Sequence, residues 1–445
     1  MTAVPGSTAP LTHRQIFAIA VPIMIANVTT PMLGVVDTAV MGRTPDPAYI
    51  GAVALGALIF NFLFWGFGFL RMGTTGLTAQ AFGSGDIDEV RASLGRAVLV
   101  ALGVGAGLIL LQWPIGSIAF AVIDGPARVE ALARTYYDVR IWAAPATLVN
   151  YALLGWFIGL GRARAALALQ LVLNLLNMAI NVLLVLGLHL GVAGVALGTV
   201  LAEVSAALIG CLLAARTLRR MGGRWSLPRL FDGQRLRRTL AVNADIMIRS
   251  LALIVMFAWF MTQGARQGEG ILAANAVLMQ FIAVSAFFLD GLAFAAEALV
   301  GRAAGAGDRN GVAQAARMTT AWAGAIALVL CLVFAAGGAL IVDLLSVDPG
   351  VRLLSRHYLP WAVLAPLAGV WCFQLDGIFI GATRTAAMRN AMLMSMAIFF
   401  VAWWLLSGYA NHGLWASFYV HYAARAGTLL AFLPGLLRAV TERPG

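Results

Sequence analysis

The 445-residue sequence contains no lysine, three cysteines, five histidines and only 11% charged residues. Each shortage excludes something. Cys211, Cys331 and Cys372 all fall inside apolar stretches, where free cysteine behaves as a small hydrophobe, and none belongs to a CxxC pair. A disulfide frame and a zinc site are therefore not expected. The histidines, His13, His189, His357, His412 and His421, are scattered along the chain, so no catalytic constellation is visible and a membrane enzyme is disfavoured. Glycine-rich pieces such as Gly103-Val104-Gly105-Ala106-Gly107 have neither a strand before them nor a Lys-Ser after them, which makes them packing glycines rather than phosphate loops.

The scarcity of charge decides the environment. With 61% hydrophobic residues and a mean hydropathy of +0.88, the chain has more apolar surface than one soluble core can hide. A membrane-spanning helix needs about 20 mostly apolar residues. Windows of that kind lie near 14–42, 51–77, 92–122, 131–160, 165–187 and 191–215, and again near 239–263, 271–301, 313–345, 353–381, 387–408 and 413–437. The expectation is an all-α integral membrane protein of twelve transmembrane helices in two pseudo-symmetric six-helix bundles. Residues 1–215 form the first lobe, 216–238 an Arg-rich linker and 239–445 the second lobe. Met1 to Gln15 is polar and precedes a helix too long for a cleaved signal, so no signal peptide is expected.

An internal repeat supports the two halves. Gly155-Trp156-Phe157-Ile158-Gly159 with Arg162 recurs 222 residues later as Gly377-Ile378-Phe379-Ile380-Gly381 with Arg384. The same offset carries Gly83-Ser84-Gly85-Asp86 onto Gly305-Ala306-Gly307-Asp308. Matched membrane halves are a frequent transporter plan.

A pI near 10.5 would suggest nucleic acid in a soluble protein, but the positive charge is distributed by topology. Roughly 20 arginines fall with the even connections and the termini and about 7 on the other side, so both termini are expected in the cytoplasm. The densest group, Arg216 to Arg238, sets eight arginines against the single acid Asp232. Attachment to anionic lipid is one reading of it. Topology and solvation, the same positive-inside rule, is the favoured one.

Polar residues inside apolar windows are expensive and therefore informative. Asp37 lies about five residues inside the outer end of the first helix, by the helical rise. Pro22 and Pro31 remove two backbone donors from that helix, so it is expected to bend when Asp37 changes charge. On the fifth helix Asn174, Asn177 and Asn181 share one face. Asn181 and Thr199, on the sixth helix, reach the depth of Asp37. Asp37 reads as a cation or proton site, against a structural hydrogen bond to these amides. The asparagines alone fit a site or interhelical glue equally well. Glu203, one turn beyond Thr199, belongs either to this site or to a neutral bond across helices. In the second half, Asp245 and Arg249 are four apart and favour an intrahelical pair. Glu297 and Asp376, with Arg302 and Arg384 nearby in sequence, fit a closed ion-pair network that leaves Asp290 least well explained.

On these residues the chain resembles the multidrug and toxic compound extrusion (MATE) family, DinF-like branch. The resemblance rests on Pro22, on Pro31 through Asp37-Thr38-Ala39-Val40-Met41-Gly42, on Asn174 to Asn181 with Gly191 to Thr199, and on Asp245 to Ser250. Leu289-Asp290-Gly291, Ala296-Glu297-Ala298 and Asp376 to Arg384 complete it. It implies export of cationic or amphipathic compounds in exchange for H⁺ or Na⁺, with Asp37 coupling, Asn177, Asn181 and Thr199 completing the site, and a bend at Pro22. Many relatives have an aspartate where this chain has Asn181. Hard cations favour charged oxygen ligands, so H⁺ is the expected coupling ion and Na⁺ at Asp37 the alternative. No cofactor is implied. The expected partners are a small organic substrate and the lipid bilayer of a bacterial inner membrane, with a single chain as the working unit. The competing function is a lipid-linked precursor flippase of the same superfold, disfavoured because most arginines sit in loops. A passive channel suits two kinked, asymmetric halves less well.

Overall fold

Lipid offers a backbone no hydrogen bonds, so apolar runs of this length have to satisfy their own donors and acceptors as helices. The computed structural model describes residues 11–44, 46–122 and 126–441, and every regular element among them is helical. In the first half the long ones are α1 (His13–Met41), α2 (Ala48–Gly83), α3 (Ile87–Leu110), α4 (Ala127–Gly159), α5 (Ala163–Gly187) and α6 (Gly191–Met221), with shorter helical segments at Gln112–Val122 and Leu227–Leu230. The second half contributes α7 (Gly233–Arg266), α8 (Glu269–Gly305), α9 (Arg309–Leu345), α10 (Pro349–Gly381), α11 (Thr385–Leu406) and α12 (Ala410–Thr441). Eleven described stretches are long and apolar enough to cross a membrane, and the last, Thr385–Val440, is broken at Ser407–Tyr409 into α11 and α12. The twelve expected helices are present. α1 runs through Pro22 and Pro31 without a break, whereas α2 is interrupted at Phe67–Gly68 and α4 tightens at Ile141–Ala143.

The 222-residue repeat survives as geometry. Gly155 and Gly159 bring α4 onto α2 so closely that a Cβ at Gly155 would overlap Arg71 O and one at Gly159 would lie 2.6 Å from Thr75 O. At Gly377 and Gly381 the same approach brings α10 onto α8: a Cβ would overlap Ala293 O and lie 2.5 Å from Glu297 O. All four backbone partners obey the offset. So do the turns: Asp86 and Asp308 each accept a backbone N–H three residues on, at 3.1 and 2.8 Å, after Gly85 and Gly307 at φ 74° and 72°. Gly161 at φ 67° becomes Thr383 at φ 51°, a left-handed conformation that glycine adopts without steric penalty and a β-branched residue does not.

Two compact units divide the chain. One holds Ile25–Phe82 and Asp86–Leu240; the other holds the chain from Ala241 onward, the chain before Ile25 and the turn Gly83–Gly85. The boundary thus falls inside α1, just beyond Pro22. Within the second unit Ala20 and Met24 of α1 press on Gly291 of α8, whose missing side chain makes the room. Trp322 Nε1 donates to His13 Nδ1 at 2.9 Å in the same unit.

Between α6 and α7 the arginines are used locally. Arg91 of α3 gives hydrogen bonds to Leu218 O and Gly222 O, at 2.6 and 2.8 Å, and so caps the end of α6. Arg229 lies 2.5 Å from Asp86, while Arg96 and Arg235 both pair with Glu89. Arg224 N donates to Asp88 at 2.7 Å. The connection is therefore strapped along the start of α3.

In the second unit a closed amide pair joins α8 to α12. Asn275 and Asn411 exchange Nδ2–Oδ1 bonds of 2.9 and 3.0 Å, and Trp415 Nε1 donates to Asn275 Oδ1 at 3.0 Å, all fully buried. Asn275→Ala orphans a donor and an acceptor on Asn411 and the Trp415 N–H. It is expected to destabilise the protein by about 1–3 kcal/mol, read as a lower thermal midpoint in detergent.

Candidate functional site

In a bilayer the polar stripe of a helix has to face inward, and α5 does so. Asn174, Asn177 and Asn181 are 2%, 4% and 0% exposed while Leu175 beside them is 62% exposed. Asn181 Nδ2 donates to Asp37 Oδ1 at 2.7 Å and to Asn177 Oδ1 at 3.0 Å. Asn174 Nδ2 donates to Thr29 Oγ1 at 3.0 Å and its carbonyl accepts from Gln170 Nε2 at 3.0 Å. Asp37, Asn177 and Asn181 thus come together, while Asn174 joins Thr29 instead, so that α5 is stitched to α1 at two levels.

Gly198 of α6 makes this possible. A Cβ there would overlap Asn181 Oδ1, so only glycine lets the amide lie under α6. That same Oδ1 is buried and has no hydrogen-bond partner. The site therefore offers a carboxylate gripped by one amide N–H, and beside it an unused amide oxygen. Among the described residues no three of His, Cys, Asp and Glu gather to hold a metal ion.

Thr199 is placed differently. Its hydroxyl donates to Val195 O at 2.9 Å and is in polar contact with Tyr136 of α4 rather than joining the amides. Glu203 lies in a buried cluster of its own. Asn150 Nδ2 donates to Glu203 Oε2 at 2.7 Å and to Glu203 O at 3.0 Å, and Arg140 Nη2 stands 3.6 Å from Glu203 Oε1. The guanidinium of Arg140 also lies over Phe60 and Phe64, 5.3 and 5.6 Å from their ring centres. Sequence reading missed Arg140, Tyr136 and Asn150. The signal was there: Arg140 is an arginine inside an apolar window.

The second unit carries the other charges. Asp376 Oδ2 accepts from Arg249 Nη1 at 2.6 Å and from Arg425, and the three residues are all less than a tenth exposed. Asp245 is held by Arg389 Nη1 at 2.6 Å and Thr385 Oγ1 at 2.9 Å. Asp245 and Arg249, expected to pair along α7, each take a partner on another helix. Glu297 is buried, Asp290 half-buried and Arg384 exposed at the start of α11. Two of the scattered histidines also meet, His357 and His412, with Nε2 atoms 3.2 Å apart. Trp361 Nε1 donates to His412 Nδ1 at 3.1 Å; a tryptophan only donates, so neutral His412 carries its proton on Nε2.

The MatE family model matches residues 22–183 and again 246–405, the second match displaced by 224 residues at its start and 222 at its end. The chain belongs to the MatE family. These proteins are transporters, not enzymes. The DNA damage-inducible protein F of Escherichia coli (strain K12) is 41% identical over 418 residues, 94% of this chain and 91% of that one. A probable multidrug resistance protein NorM of Rhizobium meliloti (strain 1021) is 28% identical, covering 98% of this chain and 96% of its own. Among solved structures, a MOP superfamily transporter from Pyrococcus furiosus, described as having a binding pocket of reversed polarity, superposes with a TM-score of 0.86 at 15% identity over 97% of each chain. The Vibrio cholerae MATE transporter VcmN in its bent form superposes at 0.84 and 16%, over 96% of this chain and 97% of that one. These likenesses establish the fold.

Within the MATE scaffold the two halves diverge where the chemistry lies. The offset sets Asp37 opposite Trp259 and Asn181 opposite Trp403, and those two tryptophans meet edge-to-face at 5.1 Å. A carboxylate–amide pair in one half is an aromatic pair in the other. Glu203 likewise falls opposite Arg425, so at that one buried position the charge reverses its sign.

Proposed function

We propose that this MATE transporter exports small cationic or amphipathic compounds in exchange for H⁺ rather than Na⁺, by alternating access, with Asp37 as the coupling carboxylate. The observation that carries the proposal is the Asp37–Asn181 bond with its unused Asn181 oxygen. An ionised Asp37 accepts from the Asn181 N–H. A protonated Asp37 becomes a donor, and the free Asn181 Oδ1 supplies an acceptor once the amide turns. The two protonation states therefore favour different arrangements of α1 against α5, which linkage requires if a proton is to drive anything. Asn181 also removes a charge from the ligand set, which weakens a site for a hard cation such as Na⁺. Relatives named as multidrug resistance proteins support a broad small-molecule substrate range. Pro22 and Pro31 leave α1 two weak points at which to bend. The excess of arginine on one side supports a bacterial inner-membrane location with both termini cytoplasmic, and one chain carries the whole site, so the monomer suffices.

The test is efflux of a fluorescent lipophilic cation from proteoliposomes under separately imposed gradients. A pH gradient alone is expected to drive efflux. Efflux driven by a Na⁺ gradient at equal pH, with none driven by pH, overturns H⁺ coupling.

A further inference from the structure

The Asp37 site does not stand alone in its lobe. About one turn of α6 separates Thr199 from Glu203, and between them α4 inserts Arg140, 7% exposed, in a region otherwise filled by aromatic rings and amides. An arginine buried in a membrane protein keeps its charge and needs an acid or a carbonyl for each edge of its guanidinium. Here the pairing is incomplete. Nη2 stands 3.6 Å from Glu203 Oε1, longer than a good charge-assisted bond, and Nη1 is buried with no hydrogen-bond partner. Glu203 is already served by Asn150 at 2.7 Å, so Arg140 is not its sole support. Asp37 lies within electrostatic range of the same guanidinium.

Polar groups lead from Arg140 toward the site: Tyr136 lies in polar range of both Arg140 and Thr199, and Thr199 donates to Val195 O at 2.9 Å. Thr199 adjoins Gly198, the residue on which the Asn181 amide rests. The Tyr136 ring is itself fixed, because it fills the place of a side chain at Gly56 of α2.

We propose that Arg140 is a positioning residue for the coupling carboxylate: one buried guanidinium shared by Glu203 and Asp37, drawn toward Asp37 when that group is ionised and left to Glu203 when it is protonated. The inference rests on Asp37 being the coupling group. The charged and titratable groups facing this pair are Tyr136 from α4 and Glu203 from α6, with Tyr151 of α4 and Arg71 of α2 behind Glu203. α5 contributes only amides. A single cation between two acids gives the Arg140–Glu203–Asp37 group zero net charge with Asp37 protonated and minus one without its proton.

The test needs no knowledge of the substrate. Dicyclohexylcarbodiimide reacts with a protonated buried carboxyl and not with an ionised one, so its labelling of Asp37 at a series of pH values, mapped by mass spectrometry on the full-length protein in detergent, reports when Asp37 holds its proton. Glu203→Gln keeps the Asn150 bond and frees Arg140 entirely for Asp37. The labelling midpoint is expected to fall in this variant by about one pH unit, since a positive neighbour favours the ionised form. Adding Arg140→Gln is expected to move the midpoint above that of Glu203→Gln by at least about one unit, and Arg140→Lys in the same background to restore part of the shift. A midpoint that is the same in wild type and Glu203→Gln overturns the proposal, and so does one unmoved by the further loss of Arg140. If the double variant fails to fold, the single Glu203→Gln result decides. Should the midpoints move as expected while Asp37→Asn still transports like wild type, the sharing of Arg140 stands and the coupling role of Asp37 falls.

Discussion

Asp37→Asn is expected to reduce proton-driven efflux to the leak level while leaving the protein folded. The asparagine keeps an oxygen where Asp37 Oδ1 accepts from Asn181 Nδ2 at 2.7 Å, so α1 stays tied to α5. What disappears is the titration. A charge-assisted bond becomes a neutral one, roughly half as strong, and the expected change in stability is within about 1 kcal/mol. Removal of an unneutralised acid from the lobe interior offsets part even of that. The measurements are efflux under a pH gradient and thermal unfolding of the same preparation. Wild-type efflux in a well-folded variant removes Asp37 from coupling. Loss of both efflux and fold would instead make it a structural acceptor, the competing reading of this residue.

Much of this was legible in the residues because the membrane penalises exceptions. An apolar window admits a polar side chain only where a partner or a cavity waits, so Asp37 and the asparagines of α5 announced themselves, and the spacing of the amides fixed a common face. The repeat was equally plain, and its glycines turn out to mark two matched places where helices touch backbone to backbone. Arg140 was harder. It stands inside the apolar window 131–160, but nothing in the spacing says that α6 brings Glu203 to it. The partners of Asp245 and Arg249 were hidden for a different reason. A spacing of four predicts a neighbour on the same helix, but it carries no information about Arg389 on α11 or Asp376 on α10, which compete for the same charges at closer range. Sequence spacing ranks local pairs; tertiary packing decides between them.

That competition sets the second large expectation. Asp376 is the acid shared by Arg249 and Arg425, and removing it takes a counter-charge from two buried guanidinium groups. Breaking a buried pair from one side is destabilising by about 3–5 kcal/mol, and here two ion pairs are broken at once. Asp376→Asn is therefore expected to lower the thermal midpoint sharply and to reduce the amount of folded protein recovered from membranes. Arg425→Gln should be milder, because the Arg249–Asp376 pair at 2.6 Å remains and neutralises itself. In the first half two of the three charges have neutral counterparts: the offset sets Asp376 opposite Leu154, which is half-buried, and Arg249 opposite Asn27, while Arg425 falls opposite Glu203. Replacing all three charges together, with Asp376→Leu, Arg249→Met and Arg425→Met, should recover most of the stability that Asp376→Asn loses, since well-packed apolar residues often match or exceed a buried ion pair. The folded triple variant then separates structure from transport. Proton-driven efflux at the wild-type rate makes the second lobe's charges a scaffold that holds α7, α10 and α12 in register, consistent with the coupling chemistry residing around Asp37. A triple variant that folds and does not transport would place the Arg249–Asp376–Arg425 cluster in the cycle itself, and the sign reversal between Glu203 and Arg425 would then distinguish two working sites rather than one site and one brace.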